Sequence, residues 1–129
     1  MKLNPDCIRD VLLVVEKTVD YMTRFEYTIN EDIPKKLTKY THDEIVYHIH
    51  QAKLSGLLYE CHIAGGGAYI TIDDLTPAGH EFLANIRSDS VWEKVKGAAS
   101  ATCGNSLRGI AQIAQALMIE IIKQYLGVT

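Results

Sequence analysis

The chain has 129 residues, of which 47% are hydrophobic and 22% charged, and its formal net charge is −3. This composition is that of one soluble globular domain that is large enough to bury a core. When charges are counted over residues 1–30, 31–60, 61–86 and 87–129, only the last segment shows a basic excess, of two charges. The chain therefore does not show the concentrated basic patch that is typical of nucleic-acid-binding proteins.

The three cysteines, Cys7, Cys61 and Cys103, are widely spaced and form no C-x-x-C pair. This pattern fits a reducing compartment better than a disulfide framework. Charged residues lie within the first ten positions, where a signal peptide would become apolar, and no apolar run reaches the roughly 18 residues that span a bilayer. We therefore expect a cytoplasmic protein that does not associate with membranes.

The N-terminal part is expected to form a helix followed by a short strand. Asn4 is a suitable helix cap and Pro5 suits the first helical position, and an apolar stripe at helical spacing follows. Phe25 and Tyr27 then alternate with polar residues, which favours a strand that pairs with a later hairpin. Residues 32–40 predict no more than a short helix or turn.

A helix and a hairpin are predicted over residues 41–72. Thr41 and Glu44 form a capping box, and Gly56 is a suitable helix stop. Strands are expected at 57–63 and 68–72, around a flexible tip of three glycines, Gly65, Gly66 and Gly67. A helix leading directly into a hairpin is typical of a winged helix, in which the helix is the recognition element and the hairpin the wing. The predicted fold class is therefore α+β, with a winged-helix core.

The C-terminal part is expected to be helical with one interruption. Thr76 and Pro77 predict a new helix start, and the helical pattern continues to about residue 96 with a kink near Ser88. Residues 97–106 are small and polar and predict a linker. The predicted organisation is a winged-helix-like domain at 1–96, a linker at 97–106 and an apolar C-terminal helix at 107–129.

No cluster of residues predicts an enzyme, a cofactor or a metal. His48 and His50 are two apart on a helix and so diverge by about 200°, and the neighbouring Cys61 and His62 face opposite sides of a strand. Zinc sites need closely spaced pairs that converge, so ordinary packing or surface histidines are favoured. The three glycines precede a strand rather than the helix that a phosphate loop requires.

Several stretches together resemble a domain-of-unknown-function family of small bacterial and prophage-encoded proteins. They extend over most of the chain and lie at residues 4–10, 42–45, 47–49, 74–87 and 92–94. The resemblance implies a winged-helix-like core and a phage or mobile-element setting. It carries over no catalytic or ligand-binding residues.

Two surfaces are candidates for binding. The outer face of the 41–55 helix and the glycine tip form the first, with side chains suited to base-edge or phosphate contacts; its residues are Tyr47, His50, Gln51, Lys53, Gly65, Gly66 and Gly67. The second is the widest apolar stripe of the C-terminal helix, either buried in a homo-oligomer or packed on its own domain; its residues are Leu107, Ile110, Ala114, Leu117, Ile121 and Tyr125.

The leading expectation is a winged-helix regulator of a phage or mobile element that binds double-stranded DNA as a dimer. Asp43 and Glu44 at the start of the helix oppose phosphate binding, and Leu54 on its outer face favours a protein contact. The alternative is therefore a winged-helix protein–protein interaction module, binding a host or phage protein and no nucleic acid.

Overall fold

The computed structural model describes residues 1–127. In this part of the chain, five α-helices and three β-strands follow one another in the order α1 (Pro5–Thr18), β1 (Phe25–Thr28), α2 (His42–Leu54), β2 (Leu58–Ala64), β3 (Tyr69–Leu75), α3 (Pro77–Ile86), α4 (Asp89–Thr102) and α5 (Leu107–Leu126). A single 3₁₀ turn, Lys35–Leu37, precedes α2. The strands form one antiparallel sheet in the order β1-β3-β2. The α+β class predicted from the sequence is confirmed.

The chain divides into two compact units, the first of which is Met1–His80. In this unit α1 packs against α2 and β3. The side chains that fill its core are almost completely buried and are mainly aliphatic: Ile8, Leu12, Leu37, Ile45, Ile49, Ile70 and Ile72. Burial of such side chains is the main stabilising contribution to a domain of this size, at about 1.5–3 kcal/mol each.

The helix starts of the first unit follow the predicted caps. The Asn4 side chain accepts from the backbone N–H of Asp6 at 3.0 Å, and Pro5 occupies the first helical position. Thr41 accepts from the N–H of Glu44, whose carboxylate accepts from the N–H of Thr41, so the predicted capping box is confirmed. These bonds satisfy donors that would otherwise be left free at a helix N-terminus.

The sheet pairs the early strand with the hairpin, as expected. Phe25 of β1 lies opposite Ile72 of β3, and Tyr27 lies opposite Ile70. On the other side of β3, Cys61 of β2 pairs with Ile72. The alternating residues of β1 are buried and those between them are more exposed, which is the pattern of a strand with one face on a core. The central strand of the sheet is therefore β3.

The second unit, from Glu81 onward, corrects one prediction. Residues 97–102 belong to α4, so the linker expected at 97–106 is wrong for these positions. Alanine is the strongest helix former, and Ala99 is completely buried, which explains why this small-residue stretch stays helical. Only 103–106 remain as a connection, and Gly104 and Asn105 take positive φ there. The two compact units divide between residues 80 and 81, within α3.

Candidate functional site

Helix α2 is held in place at both its start and its middle. The buried His48 accepts the backbone N–H of Asn4 at its Nε2 atom, at 2.8 Å, and its Nδ1 atom lies 2.7 Å from the carbonyl oxygen of Glu44. At the helix start, the Tyr27 hydroxyl lies 2.6 Å from Nδ1 of His42. The helix is thereby tied to the first turn of α1 and to β1, and its outer face has a fixed position.

A second set of bonds fixes the segment that leads into α2. The Tyr40 hydroxyl donates to the carboxylate of Asp10 at 2.7 Å, and the Lys39 ammonium lies 3.2 Å from the same carboxylate. Burial and this carboxylate raise the pKa of Tyr40 well above its usual range. The short connection between the 3₁₀ turn and α2 is therefore bound to α1 by a partly buried polar network.

The outer face of α2 has the composition that the sequence predicted. Ile45, Ile49 and Ala52 are buried, and the side opposite them spans an arc of about 100° at 3.6 residues per turn. The residues within that arc are Asp43, Tyr47, His50, Gln51 and Leu54. His50 is exposed, and Tyr47 and Gln51 are half-buried. Lys53 is exposed on the flank of this face, and the Leu54 side chain is 68% exposed.

Two lysines that the sequence analysis did not single out lie directly before this helix. Lys35 and Lys36 belong to the 3₁₀ turn and are exposed. Neither forms an ion pair with any residue in the range 1–127. Residues 33–59 contain four lysines and two acidic residues, so the segment has a local basic excess. Charge counts over longer segments conceal it, because Glu31, Asp32 and Glu60 lie just outside these limits.

The glycine tip, which was expected to be flexible, adopts a turn in the structure. All three glycines have positive φ and form one defined turn. Gly67 is buried, and a Cβ atom added there would lie 2.8 Å from Cγ1 of Val46, on the flank of α2. Gly65 and Gly66 are exposed. Of the three predicted contact residues at the tip, Gly67 therefore faces α2 and not a ligand.

An open groove of about 920 Å³ lies at the other end of the sheet. It is lined by the connection between α1 and β1 and by the ends of the three strands. Tyr21 is fully exposed at its edge, Met22 is 88% exposed and Tyr59 of β2 is 55% exposed. Three large side chains in solvent around one groove are an uncommon arrangement for a surface that contacts nothing. No local pattern in the sequence predicted this groove.

In the part of the chain that the structure describes, no three or more histidine, cysteine or carboxylate side chains come together to hold a metal ion. Burial raises the pKa of the Cys7 thiol to about 12 and also raises the pKa of Cys61. Both thiols are therefore protonated at neutral pH and are poor nucleophiles and ligands. His48 is a packing residue, while His62 is exposed and lies 3.1 Å from the carboxylate of Glu60.

The predicted oligomer stripe of α5 does not lie on a single exposed surface. Helices α4 and α5 pack against each other, and Ile110 and Ala114 are completely buried. Leu107, Leu117 and Ile121 are half-buried, whereas Tyr125 is 90% exposed. The first half of the stripe is therefore covered within the chain. Among residues 1–127, no helix combines the length and apolar character needed to cross a bilayer.

The comparisons with known proteins identify a family and give no activity. The chain is similar to a protein of Haemophilus influenzae described as "Uncharacterized protein", with 28% identity over 124 residues, 95% of this chain and 99% of the other. No solved structure matches the chain. Residues 2–105 match the family described as "Hypothetical protein (DUF2513)". The chain belongs to this family, which confirms the resemblance to a domain-of-unknown-function family.

Proposed function

We propose that this chain is a winged-helix DNA-binding regulator that acts as a dimer. The order of elements in the first unit supports the winged-helix assignment. A helix, a strand, a helical turn and a second helix precede a hairpin, and β1 pairs with the last strand of that hairpin. The helical turn and α2 then correspond to a helix-turn-helix, whose second helix enters the major groove. The phage or mobile-element setting rests on the resemblance described above.

The observation that carries the proposal is the position of the free lysines beside the polar face of α2. Phosphate contacts position a protein on DNA, and base-edge contacts give it specificity. Lys35 and Lys36 precede α2, where a helix-turn-helix meets the phosphate backbone. His50 and Gln51 on the outer face of α2 have donors and acceptors that suit base edges. The two kinds of contact are thus available from one continuous segment of the chain.

Local charge supports this proposal more than net charge does. The net charge of −3 opposes binding at long range, but the interaction of exposed charges is screened beyond about 8–10 Å at physiological salt. Asp43 at the start of α2 opposes phosphate there, so the phosphate contacts are assigned to the 3₁₀ turn. We expect weak binding that depends strongly on salt.

A salt titration with labelled duplex DNA tests the proposal. Fluorescence anisotropy at about 50 mM salt should show binding by the wild type, and affinity should fall as salt rises. Changing both Lys35→Glu and Lys36→Glu should lower the affinity at least about tenfold and reduce the slope of log K against log salt by about two, one for each lost phosphate contact. Gln51→Ala should instead change the preference between DNA sequences.

The matched control carries the same charge change at two other exposed lysines, Lys17→Glu and Lys94→Glu. It should keep most of the affinity, because the proposal concerns the position of the charges and not their sum. No binding by the wild type at tens of micromolar would refute the DNA-binding function. Equal losses in the control and the test variant would show that only net charge acts.

A protein partner is the second candidate, and the groove beside Tyr21, Met22 and Tyr59 is the observation that favours it. Aromatic side chains and methionine are enriched at the centres of protein interfaces. The exposed Leu54 at the end of α2 also fits a protein contact better than a nucleic-acid contact. In this function the groove binds a segment of a host or phage protein.

Selection from a displayed peptide library tests the second candidate. Peptides enriched on the wild type should bind less tightly, by about tenfold or more, to a variant with both Tyr21→Ala and Met22→Ala, since interface aromatic residues often contribute more than about 1.4 kcal/mol. The control Lys94→Ala truncates an exposed side chain on α4, which does not line the groove, and should bind normally. If no enriched peptide binds the wild type more tightly than the variant with Tyr21→Ala and Met22→Ala, the groove is rejected as a binding site.

A further inference from the structure

The last three turns of α5 carry an exposed apolar surface. Ile119 and Ile122 are about half exposed, and Tyr125 and Leu126 are 90% and 67% exposed. With the half-buried Met118 these residues form what we term the α5 patch. At 3.6 residues per turn they fall within an arc of about 120°. The patch is therefore one continuous surface on one side of the helix.

The α5 patch is distinct from the side of the helix that the chain itself covers. The buried residues Ile110 and Ala114, with the half-buried Leu117 and Ile121, lie on a stripe centred about 110° away around the helix. On the side of the patch, the earlier turns of α5 carry Leu107, Arg108, Ala111 and Gln115, and Gln112 lies at the edge of this side. After Leu107, the large apolar residues on this side of the helix are therefore concentrated from Met118 onward.

The positions of the α5 patch are symmetric about Ile122. When a second copy of α5 runs in the opposite direction with Ile122 opposite Ile122, Met118 lies opposite Leu126 and Ile119 lies opposite Tyr125. Two antiparallel copies of α5 related by a two-fold axis would therefore place apolar residues opposite apolar residues throughout. A self-complementary surface of this kind is what a two-fold interface requires. We propose that the α5 patch binds the α5 patch of a second copy of this chain, with the two-fold axis at Ile122.

The area of the patch is that of a small, weak interface. The exposed fractions of its four exposed side chains add up to about two and a half fully exposed residues. At about 100–200 Å² for each large side chain, the exposed area is on the order of 250–500 Å². A stable interface buries about 800 Å² per partner. Met118 and the aliphatic stems of Gln115 and Lys123 border the patch and extend the area. We therefore expect a dimer that dissociates in the micromolar range.

Sedimentation of the full chain between about 1 and 100 μM tests the proposal. The wild type should change from monomer to dimer over this range. Ile122→Glu places two carboxylates on the two-fold axis and should leave a monomer, and Ile122→Lys should do the same with two ammonium groups. An equimolar mixture of these two variants should recover the dimer, because residue 122 then faces an opposite charge.

The control is Ala116→Glu, which adds the same charge to an exposed position on α5 about 120° from the patch. It should dimerise like the wild type, and circular dichroism should show that all variants are equally helical. A monomeric wild type at 100 μM overturns the proposal, and so does a dimer that survives Ile122→Glu. If both variants are monomers but their mixture does not associate, the axis is not at Ile122 and the arrangement is rejected. This proposal rests on the dimer that is part of the proposed function. Because sedimentation is measured without DNA, a failure to dimerise can be told apart from a failure to bind DNA.

Discussion

Replacement of Gly67 by alanine should destabilise the first unit more than replacement of its neighbour Gly66, because only Gly67 touches α2. Gly67 has a φ of +101°, and an added Cβ would lie 2.8 Å and 3.0 Å from the two Cγ atoms of Val46. Carbon atoms do not approach this closely without displacement. Either the Val46 side chain moves or the hairpin tip separates from the helix.

The expected cost follows from these two features. Positive φ at a residue with a Cβ costs about 1–2 kcal/mol, and overpacking of a filled site costs about 1–3 kcal/mol. Gly67→Ala should therefore lower the free energy of unfolding by about 2–5 kcal/mol, a large part of the 5–15 kcal/mol typical of a domain. Gly66 also has positive φ, of +66°, but an added Cβ there has no neighbour within 4 Å. Its replacement should cost only about 1–2 kcal/mol.

Urea unfolding followed by circular dichroism measures both costs. The midpoint should fall in the order wild type, Gly66→Ala, Gly67→Ala. Adding Val46→Ala to Gly67→Ala should recover about 1 kcal/mol relative to the sum of the single changes, since it removes the two atoms that clash. If Gly67→Ala is no less stable than Gly66→Ala, the tip does not pack on α2 and the prediction is refuted.

Three further predictions concern the caps and the thiols. Thr41→Ala should lower the free energy of unfolding by about 0.5–2 kcal/mol, since it removes the cap of α2; an unchanged thermal midpoint would contradict this. His48→Ala should lower the free energy of unfolding, measured in urea, by at least about 1–3 kcal/mol, because the N–H of Asn4 loses its acceptor. An effect as small as that of a surface substitution would exclude this role of His48. Burial raises the pKa of Cys7 to about 12, so a thiol reagent at about pH 8 should label Cys103 first, as measured by mass spectrometry. Because the Cys7 thiol ionises more easily in the unfolded chain, the free energy of unfolding should fall as pH rises above about 9. Equal labelling of Cys7 in the folded protein would contradict its burial.

Local sequence signals were sufficient to predict the helix starts and the strand pairing. A cap depends on residues within one turn, so Asn4, Thr41 and Thr76 could each be recognised from a few neighbours. In the structure Thr76 accepts from the N–H of Gly79 at 3.0 Å, as the sequence implied. Alternation at Phe25 and Tyr27 likewise predicted the buried face of β1. In these cases local preference and tertiary structure agree.

The features that were missed depend on residues far apart in the chain. Gly67 and Val46 lie in different elements, so no local pattern showed that the tip packs on α2. The small residues after Val95 are compatible with either a linker or a helix, and burial of Ala99 decides between them. The two sides of α5 could not be told apart, because only the packing of α4 shows which of them is covered.

The pairing of β1 with β3 has a consequence for the order in which the first unit assembles. Helix α2 and the β2–β3 hairpin are made of contacts close in sequence and can form early. Phe25 reaches Ile72 only when a loop of more than 40 residues closes, which costs about 3 kcal/mol in chain entropy before any contact is gained. The N-terminal strand should therefore join the sheet last. A nascent chain that has completed the hairpin exposes the edge of β3 to other strands until β1 returns to cover it.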